Sequence, residues 1–98
     1  MKLRTLDLNR NGFEKYLVGR FEYFNGVQYR FRFENGYGAS VVKHDGSYGR
    51  DQDLWELAVI TWHDSEFSLN YDTEITDDVI GYLTDSEVQD LLKRIKDL

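Results

Sequence analysis

Residues 27–42, which read VQYRFRFENGYGASVV, decide the fold of this chain. In the first seven of them an apolar side chain stands at every second position, namely Val27, Tyr29, Phe31 and Phe33. A period of two is typical of a β-strand with one buried and one solvated face. The Asn35-Gly36 pair that follows is a strong local signal for a hairpin. A three-residue loop, Glu34-Asn35-Gly36, would pair Phe33 with Tyr37, Phe31 with Ala39 and Tyr29 with Val41.

An earlier pair, Asn25-Gly26, predicts another hairpin on the N-terminal side. A two-residue loop there would set Arg20 opposite Phe31 and mix polar groups into the aromatic face. A three-residue loop with Gly26 in its left-handed position instead pairs Tyr23 with Val27, Phe21 with Tyr29, Gly19 with Phe31 and Leu17 with Phe33. Because a slip of one residue turns every side chain to the other face, apolar burial favours this second register. It also places Gly19 below the Phe31 ring, where the absent side chain leaves room.

Further strands are predicted on both sides of this meander. A strand over residues 4–8, in which apolar and polar residues alternate poorly, would precede the meander and connect to it through a turn at Asn11-Gly12. After a polar loop at residues 45–53, residues 54–62 are nearly all apolar, as in a strand covered on both faces. A turn at His63-Asp64-Ser65 leads to a shorter strand in which Phe67, Leu69 and Tyr71 alternate with polar residues.

The last third of the chain reads as helical. Thr76-Asp77-Asp78 predicts the start of a short helix that ends near residue 82. Thr84-Asp85-Ser86-Glu87 is a capping box, and an apolar stripe at helical spacing follows: Val88, Leu91, Leu92, Ile95 and Leu98. The predicted fold class is α+β, with an antiparallel β-meander of about five or six strands packed against a C-terminal amphipathic helix that a short helix precedes. Residues 1–98 form one domain.

Composition excludes several classes of protein. The 98 residues contain no cysteine, so there is neither a disulfide framework nor a thiolate metal site. The longest apolar run, residues 57–60, has four residues, whereas roughly 18 are needed to span a bilayer. The first five residues do not lead into the apolar segment of a signal peptide. We therefore expect a cytoplasmic protein with no membrane partner.

Charge is distributed unevenly along the chain. Residues 1–50 carry nine Lys or Arg against five Asp or Glu, whereas residues 51–92 carry twelve acids and no base. The last six residues are again basic, and the net charge is −6. Such a long acidic stretch is either a feature that favours solubility or a face that docks on a basic partner.

Catalytic and metal-binding patterns are weak. His44 and His63 lie in separate segments without metal-ligand spacing, so we predict no metal and no cofactor. His63-Asp64-Ser65 contains the residue types of a catalytic triad, but adjacent residues cannot point at one another as a triad requires. We predict that the protein is not an enzyme. A small hydrolase would need a pocket that joins a histidine to a carboxylate.

Nucleic-acid binding is a separate hypothesis, because Arg20, Arg30, Arg32 and Tyr16 are expected on one face of the sheet. In the favoured register the large aromatic side chains project from the opposite face. The net negative charge also disfavours nucleic acid. Direct nucleic-acid binding is therefore not expected.

Two blocks of the sequence carry a family resemblance. The first comprises residues 33–42, 46–49 and 54–59, and the second is residues 71–84, which read YDTEITDDVIGYLT. They resemble short uncharacterised proteins from phages and prophages of Gram-positive bacteria, over roughly residues 30–98. The resemblance implies no activity, but it implies a context in which small proteins bind and redirect a host protein.

The functional hypothesis is a small non-enzymatic phage-type accessory protein that binds a host or phage protein through an acidic surface, as an inhibitor or as a mimic of DNA charge. Tyr37 and Tyr48 stand beside glycines, a composition typical of contact surfaces. The predicted contact residues are Asp72, Glu74, Asp77, Asp78 and Asp85, with Tyr37 and Tyr48 as aromatic anchors. The alternative is a structural or assembly role through homo-oligomerisation, driven by an uncovered sheet edge or aromatic face.

Overall fold

The computed structural model describes Leu6, Leu8 and residues 12–98. The strands are β1 (Leu17–Tyr23), β2 (Gly26–Arg32), β3 (Tyr37–Lys43), β4 (Trp55–His63), β5 (Glu66–Leu69) and β6 (Ile80–Leu83), and the helix is α1 (Asp85–Lys96). The strand predicted over residues 4–8 lies outside the described residues, except for Leu6 and Leu8. Both of these are buried in the core.

The strands form one antiparallel sheet in the order β1-β2-β3-β4-β5. β5 and β6 share one edge of β4. β5 pairs with residues 60–63 of β4, and β6 pairs with residues 55–57, which β5 leaves unpaired. The sheet curls into a half-barrel. The predicted antiparallel meander of five to six strands is therefore confirmed.

The β2–β3 hairpin has the predicted register. Phe31 pairs with Ala39 and Tyr29 with Val41, and the backbone N–H of Phe33 donates to the Tyr37 carbonyl at 2.8 Å. Gly36 closes the three-residue loop with a φ of 87°, a left-handed conformation that glycine adopts at little cost.

The register predicted for the β1–β2 hairpin is wrong. The loop has two residues, Phe24 and Asn25, whose φ values of 51° and 57° are typical of a type I′ turn. Tyr23 pairs with Gly26, so Phe21 lies opposite Gln28 and Arg20 opposite Tyr29.

The physical reason for this register lies at Gly26 and along β1. Gly26 belongs to β2, where a Cβ would lie 1.9 Å from the Lys43 carbonyl oxygen, so glycine is required by the close approach of β3. β1 is mostly exposed, so it gains little of the apolar burial that was expected to set the register. Gly19 lies opposite Arg30, and the ring that covers it is that of Phe21, not Phe31.

The core lies between one face of the sheet and α1. Val88, Leu92 and Ile95 are fully buried in one cluster with the inward-facing residues of the strands, among them Val27, Phe31, Val41, Trp55 and Leu57. The predicted capping box is confirmed: the Thr84 hydroxyl accepts from the Glu87 N–H, and the Glu87 carboxylate accepts from the Thr84 N–H. Hydrogen bonds to the Glu87 carboxylate from the Thr84 backbone N–H and from the Thr84 side chain lower the pKa of this carboxyl.

The short helix predicted for residues 76–82 is wrong at that position. Residues 80–83 form β6, because Ile80 and Leu83 reach the edge of β4 beside Leu57 and Trp55 and gain backbone partners there. The short helical turns that do precede α1 are 3-10 turns at Phe13–Tyr16 and Arg50–Gln52.

Lys43 is a charged residue inside the core. Its ammonium group lies 4.2 Å from the centre of the Trp55 ring and donates to the Asp53 carboxylate at 2.6 Å. The side chain is 1% exposed, so this carboxylate offsets the cost of burying the charge.

Candidate functional site

The acidic segment leaves the sheet as a loop on the edge of β4. The N–H of Asn70 donates to the carbonyl of Val59 at 2.9 Å, and the chain returns to the sheet where Ile80 pairs with Leu57. Residues 70–79, which we call the acidic loop, therefore bulge from one point on the sheet edge. Four exposed carboxylates lie on this loop: Asp72, Glu74, Asp77 and Asp78.

Hydrogen bonds within the acidic loop give it a defined shape. The Asn70 side chain accepts from the N–H of Asp72 at 2.8 Å. The Thr76 hydroxyl accepts from the N–H of Asp78 at 3.1 Å and donates to the Asp78 carbonyl at 2.8 Å. Ile75 packs against the core cluster. The carboxylates are thus carried by an ordered backbone that is attached to the core.

The charges of the acidic loop have no ion-pair partner in the described part of the chain. Among the described residues, no basic nitrogen lies within 4.0 Å of the carboxylates of Asp72, Glu74, Asp77 or Asp78. Two other acids do have a basic partner: Asp45 pairs with Arg50, and Asp53 pairs with Lys43. The four loop carboxylates are therefore available to an external cation.

Two exposed tyrosines stand next to the acidic loop. Tyr48 and Tyr82 are 59% and 55% exposed, and the N–H of Tyr82 approaches the Tyr48 carbonyl at 3.4 Å. The Tyr48 side chain packs on Gly81, where an added Cβ would lie 2.5 Å from the Cβ of Tyr48. Tyr82 has a φ of 58°, a left-handed conformation that costs a non-glycine residue about 1 kcal/mol.

Glu56 of β4 connects Tyr48 with the acidic loop. Burial raises the pKa of the Glu56 carboxyl above its ordinary value, and the negative charge of Asp78 adds to this rise. A hydrogen bond from the backbone N–H of Tyr48 and the attraction of His44 oppose it. The structure therefore brings Tyr48 and Asp78, two of the predicted contact residues, to one place.

Two other predicted contact residues serve the fold. Tyr37 is the first residue of β3, and its half-buried side chain packs against the core cluster. Asp85 accepts a hydrogen bond from the Trp55 indole N–H at 2.7 Å at the start of α1. Sequence reasoning missed Tyr82, although its position in the second family-like block was a signal.

The opposite face of the sheet carries a second feature, which we call the arginine–aromatic face. Its members are Phe21, Tyr23, Arg30, Arg32, Trp62 and Phe67. The corrected β1 register places Phe21 and Tyr23 on the same face as Arg30 and Arg32. Tyr29 and Phe31 lie on the opposite, core face, as predicted. The prediction that Arg20 shares a face with Arg30 and Arg32 is wrong, because Arg20 lies opposite Tyr29 and its Nε donates to the Tyr29 hydroxyl at 3.2 Å.

The histidines lie outside the acidic loop. His44 packs beside the rings of Tyr23 and Phe24, at centroid distances of 5.1 and 5.8 Å, and its Nδ1 accepts from the N–H of Gly46. His63 is exposed, with Nε2 3.3 Å from the Ser68 hydroxyl. Within the described part of the chain, no group of three or more His, Asp or Glu side chains could hold a metal ion.

Comparison of this chain with protein-family models, with curated proteins and with solved structures gave no match. Over Leu6, Leu8 and residues 12–98, no helix has the length and apolar character needed to cross a membrane.

Proposed function

We propose that this chain is a small non-enzymatic accessory protein of the phage type, which binds a host or phage protein through the acidic loop and the adjoining Tyr48 and Tyr82. The observation that carries the proposal is the set of four exposed carboxylates without a basic partner among the described residues. The partner presents a basic surface in the cytoplasm of the host cell. The phage setting is part of the proposal and follows from the resemblance that the two sequence blocks suggest.

The order of the acidic loop supports binding rather than solubility alone. A solubility feature needs only exposed charge, whereas this loop is held by its own hydrogen bonds and by Ile75 in the core. Carboxylates on a preformed backbone lose little conformational entropy on binding. In one form of the proposal they occupy a groove that normally holds the phosphates of DNA, and the protein acts as an inhibitor.

Tyr82 gives independent support. Its side chain is exposed and its backbone is strained, so neither burial nor relaxed geometry explains its presence in the isolated molecule. Tyrosine is enriched at protein interfaces, where its ring supplies contact area and its hydroxyl a hydrogen bond. Tyr48 and Tyr82 are thus suited to anchor a partner that the carboxylates attract.

The test is an affinity capture from a Gram-positive host lysate at low and high salt. The loop variant carries Asp72→Asn, Glu74→Gln, Asp77→Asn and Asp78→Asn. The matched control carries Glu34→Gln, Asp64→Asn, Glu66→Gln and Asp90→Asn, which neutralise four exposed acids elsewhere. Because both variants lose the same charge, only the position of the carboxylates differs between them.

We expect the native chain and the control to capture one dominant protein at low salt and to lose it at high salt. The loop variant should capture it at least about tenfold less, equivalent to about 1.4 kcal/mol. Equal capture by both variants would refute the docking surface. Recovery of only the chain itself would instead favour homo-oligomerisation, for which the exposed Val18, Phe21 and Tyr23 of β1 offer an apolar edge.

A further inference from the structure

Arg30 is held in a fixed orientation at the centre of the arginine–aromatic face. Its guanidinium lies 4.1 Å from the centre of the Phe21 ring on β1 and 5.1 Å from that of Phe67 on β5. Its Nε donates to the Gln28 side chain at 2.9 Å, and Gln28 in turn donates to the Ser40 hydroxyl at 2.8 Å. The two ring contacts and the hydrogen bond at Nε together restrict the orientation of the guanidinium.

The terminal nitrogens of Arg30 remain available for a ligand. Within the described residues, neither a hydrogen-bond acceptor for these nitrogens nor a carboxylate within 4.0 Å is found. A planar guanidinium whose terminal nitrogens have no acceptor presents two parallel N–H donors. This arrangement binds a phosphate or a carboxylate through two hydrogen bonds.

Arg32 extends this cationic surface along β2. Its guanidinium lies 5.4 Å from the centre of the Trp62 ring and donates to the Asp64 carbonyl. Like Arg30, it has no ion pair with the acids that the structure describes, although acids outnumber bases by 18 to 12 in the chain. The alternation of the strands places Glu56 on this face at the far end from Arg32.

An open depression lies beside Arg30. It has a volume of about 520 Å³ and is lined by Phe21, Glu22, Tyr23, Gln28 and Arg30. Tyr23 is 51% exposed, and Phe24, in the adjoining turn, is 62% exposed. The depression therefore has the exposed Tyr23 ring and Arg30 in one wall, together with Glu22, and the exposed Phe24 ring lies beyond it in the turn.

We propose that the arginine–aromatic face binds single-stranded nucleic acid. Arg30 and Arg32 bind phosphates, and bases stack against the exposed rings of Tyr23 and Phe24, which is the usual division of roles on a sheet platform. The bases of a duplex are stacked on one another inside it, so they cannot stack against these rings. An acidic peptide would satisfy the arginines but not the rings. This function lies on a different surface from the acidic loop and does not depend on it.

The experiment measures fluorescence anisotropy of labelled oligo-dT and oligo-rU strands of about 16 nucleotides. Binding is compared at about 50 and about 200 mM salt, because the net charge of −6 makes weak binding at the higher salt expected. The variants are Arg30→Gln and, as a control with the same charge change, Arg94→Gln in the last turn of α1. Thermal unfolding of each variant shows whether it is folded.

We expect Arg30→Gln to weaken binding of the single strand about tenfold and Arg94→Gln to leave it nearly unchanged. Tyr23→Ser retains both arginines, so it remains informative even if Arg30→Gln does not fold. Tyr23→Ser should weaken binding of the oligonucleotide. Inorganic phosphate should still compete with the oligonucleotide as effectively as it does on the native chain. Equal losses for Arg30→Gln and Arg94→Gln, equal binding of a duplex or of a poly-glutamate peptide, or the absence of binding by the native chain would each overturn the proposal.

Discussion

At the scale of single residues, Glu56 links the stability of the protein to pH. Because its pKa is raised by burial, the folded state binds the proton of this group more tightly than the unfolded chain does. The stability that this group contributes is fully present below the ordinary pKa of 4.5 and is lost as the pH rises through the folded-state pKa.

Glu56→Gln removes the charge but retains an oxygen that can accept from the Tyr48 N–H. We therefore expect the variant to be more stable than the native protein at neutral pH, by less than about 1 kcal/mol because solvent screens this half-buried group. The difference should shrink as the pH falls and vanish below pH 4.5. Urea unfolding across this range measures it, with Glu66→Gln as an exposed control. A Glu56→Gln variant that is less stable than native at every pH would contradict this account.

Residues whose role depends on distant partners could not be assigned from the sequence. Gly38 is one example: a Cβ there would lie 2.6 Å from the indole nitrogen of Trp62, which donates to the Phe31 carbonyl. Lys43 is another, because its side chain is buried although nothing in the neighbouring sequence indicates this. Both roles follow from contacts between strands that are separate in sequence.

At the scale of elements, the β1–β2 turn is not optimal for its own conformation. Phe24 and Asn25 occupy the two left-handed positions of a type I′ turn, for which Asn-Gly is the preferred pair. The Asn-Gly pair of this sequence stands one residue later, because Gly26 is required in β2. The exposed Phe24 therefore adopts a conformation that disfavours it.

The double substitution Phe24→Asn with Asn25→Gly is expected to raise the free energy of unfolding by about 1 kcal/mol. Little burial is lost, because Phe24 is largely exposed. The exposed hydrogen bond from the Asn25 side chain to the Asp45 carboxylate is lost with Asn25→Gly and is included in this value. Thermal and urea unfolding measure the change. Glu34→Asn in the β2–β3 loop is the control and should have little effect, because position 34 does not have a positive φ. A destabilised double variant would contradict this explanation of the turn.

Local signals predicted some elements correctly and others not. α1 and the β2–β3 hairpin were predicted because their capping box, apolar stripe and Gly36 act within a few residues. β6 was missed because the first-turn acids of a helix look the same as the acids of a loop. The edge of β4 decides between the two, and that edge is not visible in the local sequence.

At the scale of the whole molecule, opposite charges occupy separate surfaces of one half-barrel. The four exposed carboxylates lie on the acidic loop at the β4 edge, and Arg30 and Arg32 lie on the arginine–aromatic face. The sequence indicated an acidic region, but it could not show which acids the fold uses. Asp85 binds Trp55 and one oxygen of the Asp78 carboxylate accepts from the N–H of Val79, whereas the carboxylates of Asp72, Glu74 and Asp77 are left to solvent.

The docking surface that we propose for a protein partner consists of the acidic loop with Tyr48 and Tyr82. Hydrogen exchange, followed by mass spectrometry on the free chain and on its complex with the captured protein, tests it most directly. We predict that protection in the complex is concentrated in residues 44–49 and 70–82. Unchanged exchange in these residues, with protection on α1 or on β1 and β2 instead, would contradict it.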